Sequence, residues 1–212
     1  SEYVKASQDA SDNLDMSTEA TNAELLKEAI TDEFGVEYSK DGRKLLKAPQ
    51  KLDGTYSIKE GVRIICNNAF SGCFSLKSLV IPDSVTRIGD SAFFCCEFLR
   101  SVVIPDSVTN IGDGAFGYCY SLTSIAIPSS VTSIGEGAFN GCSSLTDIAI
   151  PDSVTSIGDN TFMGCTSLSS LVIPDSVTSI GDSAFLGCSS LSSLIIPNGV
   201  NRIGERTFEG CK

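Results

Sequence analysis

The chain has 212 residues, of which 42% are hydrophobic and only 8% aromatic, with 19 glycines, no tryptophan and a formal net charge of −11. This negative charge makes nucleic acid and anionic membrane surfaces poor partners. Histidine is absent, which excludes Ser-His and Cys-His catalysis and any histidine-ligated metal site. The sequence has no run of about 18 apolar residues, so it predicts no membrane span.

The amino-terminal part is predicted to contain a disordered segment followed by a cap. Residues 1–17 are polar, and we expect them to be disordered. Residues 18–55 are predicted to form the cap, with a short amphipathic helix from Thr21 to Ile30 and a β-hairpin that turns at Asp41-Gly42. Because the chain starts at Ser1 without a methionine, we expect that an export signal has been removed.

Residues 56–212 carry a repeat whose period is 23 residues. Prolines, phenylalanines and cysteines keep this spacing without exception: Pro82, Pro105, Pro128, Pro151, Pro174 and Pro197; Phe70, Phe93, Phe116, Phe139, Phe162, Phe185 and Phe208; Cys73, Cys96, Cys119, Cys142, Cys165, Cys188 and Cys211. A pair of helices needs more than 30 residues, so this period predicts one strand and one short helical turn per repeat. The predicted fold is therefore an α/β repeat solenoid of about seven rungs, each rung being one coil of 23 residues, with the last rung incomplete.

Within a rung, apolar residues first alternate with polar ones and then recur at a wider spacing. The segment from Leu76 to Ile81 alternates as a strand does, and Val85 and Ile88 point inward from a second extended piece. Asp90 is predicted to cap a helical turn that presents Phe93 to the core. Stacked rungs would bury these residues as continuous ladders, which no single rung could do alone.

The phrase IPDSVTSIGDSAFLGCSSLSSL at 173–194, with the lead-in EYSKDGRKLLKAPQKLDGTYSI at 37–58, resembles the BspA-like leucine-rich repeats of bacterial surface proteins. The resemblance covers about residues 36–212. It implies a right-handed solenoid with a parallel β-sheet on its concave side and helical turns on its convex side. It also implies export to the bacterial cell surface and adhesion to host proteins or to other cells. The family has no catalytic residues to carry over.

The seven regularly spaced cysteines are interpreted as small buried hydrophobic residues, with a metal or redox role as the alternative. Cys95 lies outside this series and is predicted to be the most exposed thiol. Two acidic columns, one after the prolines and one after the glycines, are interpreted as turn and capping residues, and a calcium ladder is the alternative. We expect no metal and no cofactor.

The outward residues of the predicted strands form the candidate binding surface. One column is wholly aliphatic and its neighbour is polar: Val80, Val103, Ala126, Ala149, Val172 and Ile195; Ser78, Ser101, Ser124, Asp147, Ser170 and Ser193. Lys77 and Arg100 add positive charge at the amino-terminal end. A contiguous apolar surface favours an interaction site, although β-branched residues also favour strands for reasons of propensity alone.

These observations predict a non-enzymatic protein-protein interaction module that is secreted or held at a bacterial cell surface. We expect its concave face to bind a protein or glycoprotein, such as a host extracellular protein, and neither nucleic acid nor a membrane. The alternative is a structural stalk, or a scaffold that self-associates through an open carboxy-terminal rung.

Overall fold

The computed structural model describes residues 16–21, 24 and 28–212. The predicted disordered segment lies outside these residues except for Met16 and Ser17, and residues 22–23 and 25–27 of the predicted helix lie outside them too. Thr21 and Glu24 exchange two backbone-to-side-chain hydrogen bonds, the arrangement of a helix capping box. Ile30, the expected end of that helix, lies instead in a β-strand.

The repeats stack as a parallel β-solenoid whose rungs each contribute to two sheets. The first, which we call the front sheet, has six strands: β4 (Gly54–Ser57), β6 (Leu76–Val80), β8 (Ser101–Val103), β10 (Ser124–Ala126), β12 (Asp147–Ala149) and β14 (Ser170–Val172). They follow one another in chain order and pair in parallel.

The second extended piece of each rung forms the back sheet, which is divided in two. Seven strands form one part: β1 (Ile30–Thr31), β2 (Glu37–Tyr38), β3 (Lys44–Lys47), β5 (Ile64–Ile65), β7 (Arg87–Ile88), β9 (Asn110–Ile111) and β11 (Ser133–Ile134). Three form the other: β13 (Ser156–Ile157), β15 (Ser179–Ile180) and β16 (Arg202–Ile203).

The predicted hairpin is confirmed, and it joins the cap to the first rung. β2 and β3 pair antiparallel across a turn in which Gly42 N donates to Ser39 O, and Gly42 has a φ of 73° that suits glycine. β3 then pairs in parallel with β5, so the hairpin continues directly into the back sheet. Tyr56, the residue after the cap, donates a hydrogen bond to Asp32 and also bonds the Tyr38 hydroxyl.

The prediction of short helical turns on the side away from the front sheet was wrong. In the described residues this side, which we call the turn side, consists of successive turns without a helix. Phe94 N donates to Ser91 O within its own rung, whereas Phe93 N donates to Ala115 O of the next rung. Because alternate amides point along the stack, they cannot make the i→i−4 bonds of an α-helix.

The core consists of the predicted ladders. The phenylalanine rings from Phe70 to Phe208 stack with centroids 5.0 to 5.7 Å apart, and the rings from Phe70 to Phe185 are fully buried. Among the described residues, no helix has the length and apolar character needed to cross a bilayer.

One step of the stack is opened along the back sheet. No strand pairing joins β11 to β13 within the described part of the chain, and Ile134 is only partly buried, unlike Ile111 and Ile157. The turn side stays joined at this step, where Phe139 N donates to Thr161 O at 3.0 Å. The two neighbouring rungs are therefore hydrogen-bonded to each other along the turn side but separated along the back sheet.

The cause of this opening lies in the acidic column that follows the glycines. In most rungs an aspartate accepts from the backbone amide one rung further on, as Asp90 Oδ1 does from Asp113 N at 2.9 Å. Its carboxylate sits so close to the next rung that a Cβ at Gly112 would lie 2.5 Å from it. Glu136 has one more methylene, and no equivalent bond reaches Asp159 N among the described residues. The longer side chain thus replaces a bond between rungs with a spacer.

Candidate binding surface

The predicted aliphatic column lies on the outer face of the front sheet, which we call the sheet face. Val103, Val172 and Ile195 expose 74%, 72% and 86% of their surface, and Val80 exposes 52%. Ala126 and Ala149 are exposed as well. Isolated exposed aliphatic side chains are ordinary, but a column of them is a feature of interaction surfaces.

Strand register makes the column continuous from β6 to β14. Val80 pairs with Val103, Val103 with Ala126, Ala126 with Ala149, and Ala149 with Val172. The polar column is continuous in the same way over Ser78, Ser101 and Ser124, and again from Asp147 to Ser170. Neighbouring side chains of a column are therefore one strand spacing apart, close enough to act as one surface.

The two alanines form the floor of a shallow depression. It is lined by eight residues of β10, β12 and β14: Ser124, Ile125, Ala126, Asp147, Ile148, Ala149, Ser170 and Val172. Only one residue pair joins β10 to β12, whereas three join β8 to β10. This is the same step at which Glu136 opens the back sheet. The centre of the sheet face therefore coincides with the least tightly joined step between rungs.

The ends of the predicted surface differ from its centre. Lys77 forms an ion pair with Asp53 at 3.4 Å, and both side chains are largely exposed, so this charge is partly compensated. Arg100 is exposed beside it. Ser193 and Ile195 are exposed but belong to no strand, and the front sheet ends at Val172. The structure thus places twelve of the fourteen predicted residues on or beside the front sheet. Ser193 and Ile195 adjoin the end of this sheet, where they line a cleft together with Ser170 and Val172.

The cysteine series is part of the core rather than of a site. From Cys73 to Cys188 these thiols are fully buried, and each Sγ donates to a backbone carbonyl 24 to 26 residues earlier in the chain, as Cys142 does to Phe116 O at 3.1 Å. Burial raises the pKa of the Cys73 thiol to about 11 and those of Cys142 and Cys188 to about 12. Neutral thiols of this kind are poor nucleophiles and poor metal ligands. Cys95, predicted to be the most exposed thiol, is partly exposed, and so is Cys211.

The acidic columns are explained by contacts within the stack. The aspartates after the glycines accept hydrogen bonds from backbone amides of the following rung. They therefore join rungs, and the prediction that they cap helices was wrong. The aspartates after the prolines are exposed in turns such as Pro82 to Val85, where Val85 N donates to Pro82 O. Within the described residues, no three or more acidic or cysteine side chains converge to hold a metal ion.

Sequence reasoning missed a group of exposed aromatic rings next to the sheet face. Phe74, Phe98 and Tyr120 expose 44%, 53% and 43% of their surface, just before strands β6, β8 and β10. A signal for them exists in the sequence, because the equivalent positions of later rungs hold serine or threonine, for example Ser143 and Thr166.

Comparison with protein families gives one clear match. The family model described as "BspA type Leucine rich repeat region" matches residues 54–165 and 109–212, in six copies. Comparison with curated proteins gives no match.

Solved structures of bacterial leucine-rich repeat proteins share the fold. A protein from Bacteroides ovatus superimposes with a TM-score of 0.77 at 31% identity over 88% of this chain and 48% of its own length. One from Eubacterium ventriosum gives 0.75 at 27% identity over 87% of this chain and 50% of its own. A leucine rich cell surface protein from Faecalibacterium prausnitzii gives 0.53 at 31% identity over 76% of this chain and 57% of its own. The chain thus spans about half the length of the first two.

Proposed function

This chain belongs to the BspA-type leucine-rich repeat family, and from that premise we propose that it is a non-enzymatic protein-binding module of a bacterial surface or secreted protein. The observation that carries the proposal is the continuous aliphatic column of the sheet face. The surface location is supported by the Faecalibacterium prausnitzii relative, which is described as a cell surface protein.

The shape and chemistry of the sheet face favour a protein as the ligand. Val103 and Val172 project on either side of the floor made by Ala126 and Ala149, which leaves room for a partner's side chain between them. Serine hydroxyls run beside the column and offer hydrogen bonds at its rim, as a protein interface requires. Such a ligand would include host extracellular proteins, and binding to them would serve adhesion.

Asp147 gives the depression a preference for a positively charged group of the ligand. It is the only charged residue in the two columns, it is exposed, and it lies on the rim of the depression. No lysine or arginine occurs between Arg100 and Arg202 in the sequence. A basic side chain of the partner would therefore be attracted to Asp147 and would meet no cation of this chain nearby.

The test places a charge on the floor of the depression. Ala126→Arg introduces a long side chain that reaches water in the free protein, so folding should be unchanged. In a complex it would leave an unpaired buried charge, which costs several kcal/mol and should weaken binding at least thirtyfold. The measurement is saturable binding of the purified chain to cultured epithelial cells and to a panel of immobilised extracellular host proteins.

A matched control carries the same charge elsewhere. Ser156→Arg lies in β13 of the back sheet, at the position that Arg87 and Arg202 occupy in other rungs. We expect it to bind as the wild type does. Equal binding by Ala126→Arg, or loss of binding only in Ser156→Arg, would show that the sheet face is not the binding surface. Sedimentation velocity on the wild type separately tests for self-association.

A further inference from the structure

The exposed rings Phe74, Phe98 and Tyr120, with the carboxylate of Glu97, form a surface that we call the aromatic ledge. We propose that the aromatic ledge is a second binding site, which takes an uncharged oligosaccharide. It lies beside the amino ends of β6, β8 and β10, outside the depression on the sheet face.

The repeat itself shows that the fold does not require these rings. Phe74, Glu97 and Tyr120 occupy one position of three successive rungs, and the same position then holds Ser143, Thr166 and Ser189. Phe98 is likewise followed by Ser121, Ser144, Ser167 and Ser190. The later rungs stack with the same phenylalanine ladder and the same turns. Exposed aromatic rings lower solubility, so their confinement to three rungs indicates a function other than folding.

The backbone beneath the ledge is strained to keep a side chain there. Tyr118 has a φ of 57° and Cys95 has the same φ, at a position where the other five rungs have glycine. Positive φ at residues other than glycine also occurs away from the ledge, for example at Asn160 and Arg206, but a tyrosine at this position carries a conformational cost that the glycine of the other rungs avoids. Tyr118 uses its ring to hold the ledge, since it contacts the ring of Phe94 at 5.2 Å and that of Tyr120 at 6.1 Å between centroids. Tyr120 is therefore supported before any ligand arrives.

The spacing of the rings suits a chain of sugar rings. Phe74 and Tyr120 are two rung steps apart, roughly 10 Å, with Glu97 between them. Sugar rings stack their C–H faces on aromatic rings, and their hydroxyls bond to carboxylate and amide groups between the platforms. Glu97 supplies the carboxylate, and Gln50 supplies an amide beside Phe74, since both side chains flank Gly72. A run of sugars with alternating faces would meet an aromatic ring, a hydrogen-bond acceptor and a second ring in turn.

The carboxylate of Glu97 favours an uncharged oligosaccharide over an acidic one. Glu97 lies in the middle of the ledge, and the chain as a whole carries a net charge of −11. A uronic or sialic acid would place its carboxylate close to Glu97 and would be repelled. A protein ligand is less well suited, because the rings are separated by a carboxylate and do not form a continuous apolar patch.

The experiment measures binding to a printed array of neutral glycans, followed by saturation-transfer NMR with the strongest soluble glycan. Phe74→Leu and Tyr120→Leu keep the apolar character but remove the ring, and each should weaken binding about tenfold. Phe74→Tyr and Tyr120→Phe keep a ring and should bind as the wild type does. Circular dichroism verifies that all four variants fold.

A control on the sheet face separates this site from the protein-binding site. Val172→Ser alters an exposed residue of the front sheet and should leave glycan binding unchanged. The inference is overturned if no neutral glycan binds the wild type, if the leucine variants bind as well as the wild type, or if only a protein ligand engages the ledge. Because the readout is glycan binding, its failure leaves the proposed function of the sheet face untouched.

Discussion

Alkaline pH should unfold this protein through its buried cysteine ladder. Six thiols, those of Cys73, Cys96, Cys119, Cys142, Cys165 and Cys188, are fully buried. Burial raises the pKa of each, to about 11 for Cys73 and about 12 for Cys142 and Cys188. An unfolded chain would ionise the same thiols near pH 8.5.

Raising the pH destabilises the folded protein, because the folded state binds more protons than the unfolded state does. A folded pKa above the unfolded value means that the folded state retains protons that the unfolded state has lost. The stability due to each neutral thiol is therefore complete below about pH 8.5 and falls as pH rises toward the folded pKa. One pH unit corresponds to about 1.4 kcal/mol per thiol.

The loss of stability summed over the six thiols is comparable with the whole free energy of unfolding. At pH 10 each thiol has lost about 2 kcal/mol, so six thiols lose about 12 kcal/mol. Domains are stable by about 5 to 15 kcal/mol. We therefore expect the protein to be folded at pH 8 and largely unfolded between about pH 10 and 11.

Urea titrations followed by circular dichroism, at half-unit steps from pH 7 to 10.5 under a phosphine reductant, measure this dependence. Cys142→Ala should lower stability at pH 7 by about 1 to 2 kcal/mol, because it removes a small buried side chain and its Sγ hydrogen bond. Above pH 9 its stability should fall less steeply than that of the wild type, by about 1.4 kcal/mol per pH unit.

Cys95→Ala serves as the comparison. Its thiol is only partly buried, so its removal should change the pH dependence of the free energy of unfolding less than the removal of the Cys142 thiol does. If the urea midpoint is the same at pH 8 and pH 10, the ladder thiols are ionised or oxidised in the folded chain, and the reasoning from burial fails.

Three further changes test the stack. Glu136→Asp should let residue 136 accept a hydrogen bond from Asp159 N and raise the free energy of unfolding, measured by urea titration, by about 1 kcal/mol. Glu205→Asp, in the last rung that the structure describes, should leave the free energy of unfolding unchanged, and equal effects of the two substitutions would contradict the bonded column. Phe139→Ala should lower the free energy of unfolding, measured by urea titration, by about 3 to 5 kcal/mol, and Phe208→Ala by clearly less, because Phe208 is 37% exposed and among the described rings stacks on Phe185 alone. Equal costs would argue against a continuous ladder. Tyr56→Phe should lower the thermal midpoint, because it leaves the buried Tyr38 hydroxyl without that partner, and an unchanged midpoint would show that water replaces it.

The rung, its core and the hairpin could be predicted because each leaves a long-range pattern in the sequence. A position that recurs every 23 residues must occupy the same place in each coil, so the burial of Phe139 and Cys142 followed from periodicity alone. The hairpin followed from Asp41-Gly42 between two apolar stretches. None of these inferences depended on the direction of a single hydrogen bond.

The turn side was mispredicted because its hydrogen-bond partners lie in another rung. Spacing such as Ala92, Phe93 and Cys96 is compatible with a helix, and only the direction of the Phe93 amide excludes one. The sequence predicts a helix cap at Asp90 for the same reason, whereas its carboxylate accepts a hydrogen bond from Asp113 N of the next rung. The second extended piece of each rung was predicted, but its two-residue strands were too short for an alternating pattern to set their bounds.

Both candidate sites lie where individual rungs depart from their own repeat. Glu136 replaces the aspartate that joins rungs, and beside that step the sheet face is lowest, at Ala126 and Ala149. Tyr118 replaces a glycine, and beside it stands the aromatic ledge. In a repeat protein the other rungs act as an internal control, since they show what the fold alone requires at a position. Residues that cost stability in one rung and are dispensable in the next are therefore the ones whose presence a binding function explains.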